Sequence, residues 1–116
     1  MSALSDKADA LWQKLICQMW QGRCAYCRVM WNVSAHHITK RRFHATRWAL
    51  ENGIALCCVH HAWAEANDKK FLSWLQLAYP WIYEWHAKNT NPPIVRFANH
   101  NIKDIIAQLQ RALERL

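Results

Sequence analysis

The chain has 116 residues, a net charge of +7 and a sequence pI near 9.5. This length is typical of one domain, and the excess of Lys and Arg favours a polyanionic partner, most commonly nucleic acid. No apolar run is long enough to span a membrane and no signal-peptide pattern is visible, so we expect a cytoplasmic protein with no membrane contact. The odd number of cysteines, five, excludes complete pairing into disulfides and favours reduced thiols.

Residues 5–20 carry apolar side chains at helical spacing, which predicts an amphipathic helix. Ser5 is the predicted N-cap, and Gly22 is expected to end the helix. Cys17 lies near the apolar stripe, and we interpret it as a small core residue rather than a metal ligand.

Two pairs of metal-ligand residues follow this helix, and two residues separate the members of each pair. The four residues are Cys24, Cys27, Cys57 and His60. This spacing lets one short turn direct two side chains at the same ion. Two such turns complete a tetrahedral zinc site of the Cys3His kind.

Residues 33–38 are predicted to form a strand that ends near the pair His36 and His37. Asn52 and Gly53 are a tight-turn signal before a short second strand at residues 54–56, and a helix is expected from His60. Four residues remain beside the zinc-ligand pairs and are of the types found in a more open metal site. They are His36, His37, Asn52 and His61.

The rest of the chain is predicted to be helical. A helix over residues 68–88 is expected to be interrupted near Pro80, and Asn101 is the predicted N-cap of a last helix. The apolar stripe of that last helix predicts packing on the same chain, with a dimer contact as the alternative. Trp12, Trp74, Trp81 and Trp85 are expected in the core, whereas Trp48 and Trp63 flank the histidine motif.

The order His-His, Asn, His, threaded through the two ligand pairs, resembles the HNH endonucleases. These form the branch of the His-Me finger (ββα-metal) nucleases that carries a structural zinc. The resemblance covers residues 17–67. It rests on the CxxC pair, the HHI tripeptide, the Asn-Gly step before an apolar run, the second ligand pair and the histidine that follows it. In the second pair, His60 stands where the family usually has a cysteine.

The resemblance implies an α+β, mostly helical fold with a central ββα-metal motif and a structural zinc site, flanked by N- and C-terminal helices. We expect a single domain over residues 1–116. It comprises an N-terminal helix (1–22), a zinc knuckle with the ββα-metal core (23–67) and a helical C-terminal extension (68–116).

By the same resemblance, His36 takes the first metal-ligand position and His37 the general-base position that activates water. Asn52 takes the position that ties the loop to the base and orients its imidazole, and His61 takes the final metal-ligand position. The implied cofactors are a structural Zn²⁺ and a catalytic Mg²⁺ or Mn²⁺, with Zn²⁺ or Ni²⁺ as alternatives. Glu65 lies on the helical face of His61, where a solvent-exposed carboxylate is expected and a contact to the metal through water is the alternative.

The register of the zinc site has an alternative, because Cys58 and His61 have the same spacing as Cys57 and His60. We prefer Cys57, since this choice leaves His61 free for the catalytic metal.

A basic loop lies between His37 and Asn52 and is predicted to hold phosphates on either side of the scissile bond. Its nucleic-acid-binding residues are Lys40, Arg41, Arg42 and Arg47. The implied function is metal-dependent hydrolysis of DNA phosphodiesters with low sequence specificity, in a small bacterial or phage-encoded protein of a phage, restriction or recombination system. DNA is not separated from RNA, nor nicking from double-strand cleavage. The alternatives are a non-catalytic zinc-dependent nucleic-acid-binding module and a zinc protein that binds protein partners through its last helix.

Overall fold

The computed structural model describes residues 3–116, and their fold is α+β with helices on both sides of a small sheet. In chain order the elements are α1 (Ala3–Met19), β1 (Val33–His37), α2 (His44–Arg47), a 3₁₀ turn (Leu50–Asn52), β2 (Gly53–Cys57), α3 (Cys58–Ala66), α4 (Asp68–Ala78), α5 (Pro80–Lys88) and α6 (Asn99–Glu114). The α+β class predicted from the sequence is therefore confirmed. No helix within these residues is long and apolar enough to cross a membrane.

The two strands pair antiparallel, with Val33 opposite Cys57 and His37 opposite Gly53. They are not joined by a two-residue hairpin turn, since residues 38–52 connect them through α2 and the 3₁₀ turn. In place of the predicted tight turn, Asn52 is the last residue of the 3₁₀ turn and Gly53 is the first residue of β2. Cys57 ends β2 and α3 begins at the next residue, so the helix leaves the sheet without a loop.

Gly53 is required by close packing rather than by its backbone conformation. A Cβ atom at this position would lie 2.7 Å from side-chain atoms of Ile16 and Trp12 on α1. Its φ of −128° is ordinary extended backbone. The glycine therefore lets β2 approach α1 closely, which brings the sheet against the N-terminal helix.

Two apolar cores hold the sheet in place. One joins Ile54 and Leu56 of β2 to Phe71 and Leu75 of α4, beneath the Cys24 turn. The other packs α1 against α6, and its largest members are Trp12, Leu15, Ile16, Ile102, Ile106 and Leu109. The apolar stripe of the last helix therefore packs on the same chain, as predicted.

Several helix boundaries differ from the sequence predictions. Ser5 is buried within α1 instead of capping it. The chain leaves α1 through Gln21 and Gly22, both with positive φ, and the Gly22 N–H donates to the Cys17 carbonyl. Asn101 lies inside α6, whose N-cap is Ala98, and the Asn101 side chain accepts the Ala98 N–H at 3.0 Å. It therefore caps the helix from within the first turn.

The prediction that Trp81 belongs to the core is wrong. Its side chain is 64% exposed, whereas its neighbour Ile82 is buried. A stripe of residues four apart, Trp81 and Trp85, indicated a buried face in the sequence. In the structure α5 turns Ile82 inward, which places Trp81 on the outer side. Trp12 is buried as expected.

Candidate metal centres

Four side chains from three elements form the first cluster, here called the thiolate cluster. Its members are Cys24, Cys27, Cys57 and His60. The first two come from the turn after α1, Cys57 ends β2, and His60 lies in the first turn of α3. The spacing in the sequence had paired these residues, and the structure brings the two pairs together, so the cluster could hold a metal ion such as zinc.

The spacing of the donor atoms fits a tetrahedral ion. The Cys27 and Cys57 sulfurs lie 3.8 Å apart, and the His60 Nδ1 lies 3.3 Å from the Cys57 sulfur and 3.7 Å from that of Cys24. Ordinary Zn–S and Zn–N bond lengths with tetrahedral angles place two sulfurs about 3.8 Å apart and a sulfur and a nitrogen about 3.6 Å apart. These three donor–donor distances are therefore close to the edge lengths of a zinc tetrahedron.

The thiolate cluster contains Cys57 and not its neighbour Cys58. Cys57 is buried and its sulfur lies among the other donors, whereas Cys58 is exposed and stands outside the cluster. Burial opposes ionisation of Cys24, but backbone hydrogen bonds from Cys57, Cys27 and Tyr26 outweigh it and lower the pKa of the Cys24 thiol to about 6. A thiolate, the form that binds zinc, is thus favoured at neutral pH.

The turn that carries Cys24 and Cys27 is held from three sides. The Ala25 N–H donates to the Ala55 carbonyl of β2, and the Tyr79 hydroxyl donates to the Ala25 carbonyl. The Tyr26 ring stacks on the His60 imidazole with centroids 4.1 Å apart. These contacts fix the turn against β2, against Tyr79 between α4 and α5, and against α3, so the donor set is preorganised.

A second group of donors lies along α3 and β1 and is here called the histidine–glutamate cluster. Its members are His36, His61 and Glu65, with one ligand atom of each within 4.8 Å of the others. His61 Nε2 lies 3.1 Å from a Glu65 carboxylate oxygen, and His61 Nδ1 lies 2.8 Å from the Ser34 hydroxyl. Two imidazoles and one carboxylate with a solvent-open side suit a divalent ion that keeps free coordination positions.

His36 is buried and stays neutral. Burial, together with the charges of His61, Lys40 and His37, lowers its pKa to about 3. The centroids of the His36 and Phe71 rings lie 5.1 Å apart in a T-shaped arrangement, which fixes the imidazole plane. A neutral imidazole is the form that binds a metal, so protonation does not compete with binding at His36 near neutral pH.

The two clusters share one turn of α3. His60 belongs to the thiolate cluster, and the next residue, His61, belongs to the histidine–glutamate cluster. An ion held by the thiolate cluster would therefore fix the turn that presents His61.

His37 follows His36 on β1 but has a different environment. Its ring stacks on Trp12 with centroids 3.9 Å apart, and its Nε2 lies 2.9 Å from the Arg47 carbonyl oxygen. Because a carbonyl only accepts, Nε2 must carry the proton and the lone pair of the neutral ring is on Nδ1. Burial lowers the pKa of His37 below 6.5, although the Arg47 carbonyl and the Asp9 carboxylate act in the opposite direction.

Asn52 fastens the loop that supplies this carbonyl. Its side chain is fully buried, accepts the Thr39 N–H at 2.6 Å, and donates to the carbonyls of Thr39 and Thr46 at 3.0 and 3.1 Å. Thr46 immediately precedes Arg47. Asn52 therefore acts on His37 through the loop backbone, without a direct contact between the two side chains.

We expect Asn52→Ala to lower the free energy of unfolding by about 2–4 kcal/mol, because it leaves three buried backbone groups without their partner. Asn89→Ala is the matched control, since the Asn89 amide makes one bond at the end of α5, to the Trp85 carbonyl. It should cost about 1 kcal/mol or less. Urea unfolding of the three proteins measures both values, and equal losses would contradict the bridging role of Asn52.

The predicted nucleic-acid-binding residues separate into three environments. Lys40 and Arg41 line a cavity of about 510 Å³ together with His36, His37, His61 and Glu65. The Arg42 guanidinium lies over the Phe43 ring, and Arg42 lines a different cavity. Lys40 and Arg41 therefore lie beside the histidine–glutamate cluster, whereas Arg42 does not.

Arg47 differs from its prediction as an exposed phosphate contact. Its side chain is 7% exposed, and its guanidinium makes two hydrogen bonds to Asp9, at 3.0 and 2.6 Å. Asp9 also accepts from the Trp48 indole at 2.9 Å. Arg47 therefore joins the loop to α1, and its contribution to the site is the backbone carbonyl that meets His37.

The sequence interpretation underrated two residues. Glu65 is 66% exposed, as expected, yet its carboxylate oxygen lies 3.1 Å from His61 Nε2. Its position four residues after His61 was the available signal. No local pattern marks Asp9, because the partner of this half-buried carboxylate, Arg47, lies far along the chain.

Comparison with models of known protein families, with curated proteins and with solved structures finds no significant match to this chain. The resemblance to the HNH endonucleases therefore rests on the motif residues of the sequence alone.

Proposed function

We propose that this protein is a metal-dependent endonuclease of the HNH type, with β1, β2 and α3 as its ββα-metal motif. The observation that carries the proposal is one cavity lined by two kinds of histidine. His36 and His61 lie together with Glu65 as metal donors. His37 lies outside that group, and its Nδ1 carries the lone pair of the neutral ring. A pure metal-binding module has no use for the separately oriented His37.

His36, His61 and Glu65 would hold the catalytic ion, and Cys24, Cys27, Cys57 and His60 the structural zinc. When bound, a divalent ion such as Mg²⁺ or Mn²⁺ neutralises charge on the scissile phosphate and on the leaving oxygen. The donor set fits this use, because two imidazoles and one carboxylate leave positions open for water and phosphate.

His37 supplies the base in this proposal. Its Nδ1 accepts a proton from a water molecule while the water oxygen forms a bond to phosphorus and the bond from phosphorus to the leaving oxygen breaks. The Arg47 carbonyl holds the Nε2 proton in place, and the Trp12 ring fixes the imidazole plane. His37 is thus the catalytic base, and Asn52 is a positioning residue that holds the loop of the carbonyl.

Lys40 and Arg41 place positive charge at the rim of the cavity. Both are exposed, and Arg41 lies 3.6 Å from the Asp9 carboxylate, so its guanidinium stays beside the cavity. Phosphates on either side of the scissile bond would meet these two side chains. Such contacts position the strand but read no bases, which favours low sequence specificity.

We expect the double variant Lys40→Ala/Arg41→Ala to weaken the salt dependence of DNA binding. Two lost phosphate contacts should make the slope of log K against log salt shallower by about 1.8 on duplex DNA. The control is Lys103→Ala/Arg111→Ala, which removes the same charge from exposed positions of α6. Fluorescence anisotropy at several salt concentrations measures the slopes. The same slope in both double variants would place the phosphate contacts elsewhere.

The proposed function is tested by incubating zinc-loaded protein with supercoiled plasmid and with labelled RNA, with and without Mg²⁺ or Mn²⁺. We expect plasmid nicking or linearisation that requires the added ion and stops on its removal. DNA binding without cleavage under any of these ions would instead favour the non-catalytic zinc-dependent binding module.

A further inference from the structure

The turn between the thiolate cluster and β1 exposes three consecutive large apolar side chains. Val29, Met30 and Trp31 are 42%, 63% and 69% exposed. Apolar side chains of this size are usually buried, and a contiguous exposed group commonly marks a contact surface. This group, residues 28–32, is here called the aromatic turn.

The aromatic turn is held in a defined shape. Arg28 and Asn32 at its ends have φ values of 70° and 51°, a conformation uncommon for residues other than glycine. The Arg28 N–H donates to the Cys24 carbonyl and the Cys24 N–H to the Val29 carbonyl, both at 2.9 Å. Since Cys24 belongs to the thiolate cluster, the base of the turn is anchored where the zinc would bind.

The charge around the turn is entirely positive in the sequence. From residue 10 to residue 50 the chain has seven Lys or Arg residues and no Asp or Glu. Arg23 and Arg28 are exposed at the turn, and the Arg23 guanidinium donates to the Arg28 carbonyl at 3.4 Å. A polyanion is therefore the partner whose charge complements this surface.

The turn also lies close to the histidine–glutamate cluster. Trp31 stands three residues before Ser34, so their Cα atoms are at most about 10 Å apart. The Ser34 hydroxyl in turn contacts His61 at 2.8 Å. The aromatic turn therefore lies next to the strand residue that contacts the histidine–glutamate cluster.

We propose that Trp31 is a base-stacking contact and that the substrate is nucleic acid with unpaired or unstacked bases near the cleavage point. This deepens the proposed function and rests on it for the position of the scissile phosphate. An exposed indole on a turn whose base is hydrogen-bonded, with Arg23 and Arg28 exposed in the same stretch of chain, offers a π-face to a base whose own stacking partner is missing. A fully stacked duplex presents no free base face there, so single strands, gaps and bubbles should bind better.

The test measures binding of zinc-loaded full-length protein to a short labelled single strand, without Mg²⁺ or Mn²⁺ so that no cleavage intervenes. Trp31→Ala should weaken binding about 5- to 150-fold, the equivalent of one lost stacked base. Trp31→Phe should restore most of the affinity. Trp81→Ala, which removes an indole of similar exposure on α5, is the matched control and should bind like the unaltered protein.

A second strand with abasic sites in place of bases separates stacking from a structural effect. The unaltered protein should prefer the strand with bases, and Trp31→Ala should remove this preference while the salt slope stays the same. Equal binding by the unaltered protein and Trp31→Ala overturns the inference. A Trp31→Ala variant that changes only the self-association of the protein, and not its binding to the strand, overturns it as well. Base-dependent binding without any cleavage would keep Trp31 as a stacking contact and would remove the proposed function. Cleavage without base dependence would do the reverse.

Discussion

Cys57→Ser should lose its zinc and unfold, whereas Cys58→Ser should keep one zinc per chain and the native fold. Binding of a structural zinc is worth about 10–16 kcal/mol, comparable to or larger than the whole stability of a domain, about 5–15 kcal/mol. The Cys57 sulfur stands among the other three donors, and Cys58, its immediate neighbour, lies outside them. The two variants make the same chemical change one residue apart.

Metal analysis after extensive dialysis, with circular dichroism on the same samples, measures this difference. Unaltered protein that is folded but holds less than half an equivalent of zinc would remove the structural site. Loss of zinc in Cys58→Ser with retention in Cys57→Ser would show that the register of the second ligand pair is wrong.

His37→Ala should reduce the cleavage rate by about 10²–10⁴-fold while metal binding and DNA binding persist. The imidazole is the base in the proposed reaction, but it lies outside the group of metal donors. Single-turnover cleavage, Mn²⁺ titration and anisotropy on the same protein separate the three properties. If His37→Ala loses the catalytic ion and His36→Ala keeps it, the two histidines have exchanged roles.

The same base should set the acid side of the pH–rate profile. Because burial lowers the pKa of His37, its neutral form persists below the usual value of 6.5. On the acid side, the rate at saturating Mn²⁺ should therefore fall to half its maximum only below pH 6.5. A half-maximal rate reached well above pH 6.5, with the ion still bound, would argue against His37 as the base.

Local spacing was enough to predict the thiolate cluster and the strands beside it. Each ligand pair sits within one turn, so two residues between ligands indicate a shared ion wherever the turns finally lie. The apolar stripes of α1 and α6 likewise predicted which face of each helix is buried, but not that these two faces pack against each other.

Long-range partners could not be predicted in this way. Arg47 belongs to a run of basic residues that predicts an exposed loop. Its guanidinium is instead buried against Asp9, because α1 packs against this loop. Trp81 shared a helical stripe with Trp85, yet the contact that decides its exposure is made by Ile82 against the first core. Glu65 is exposed by any local measure, and its proximity to His36 depends on how α3 crosses β1.

The most direct test of the account is the dependence of plasmid cleavage on Mn²⁺ concentration in the zinc-loaded protein and in Glu65→Gln. Glu65→Gln removes a donor charge without changing side-chain volume, and Glu84→Gln makes the same change at an exposed position of α5. We predict that Glu65→Gln needs at least about tenfold more Mn²⁺ for half-maximal cleavage, whereas Glu84→Gln matches the unaltered protein. Cleavage that needs no divalent ion, or the same Mn²⁺ dependence in all three proteins, would contradict the assignment of His36, His61 and Glu65 as the catalytic centre.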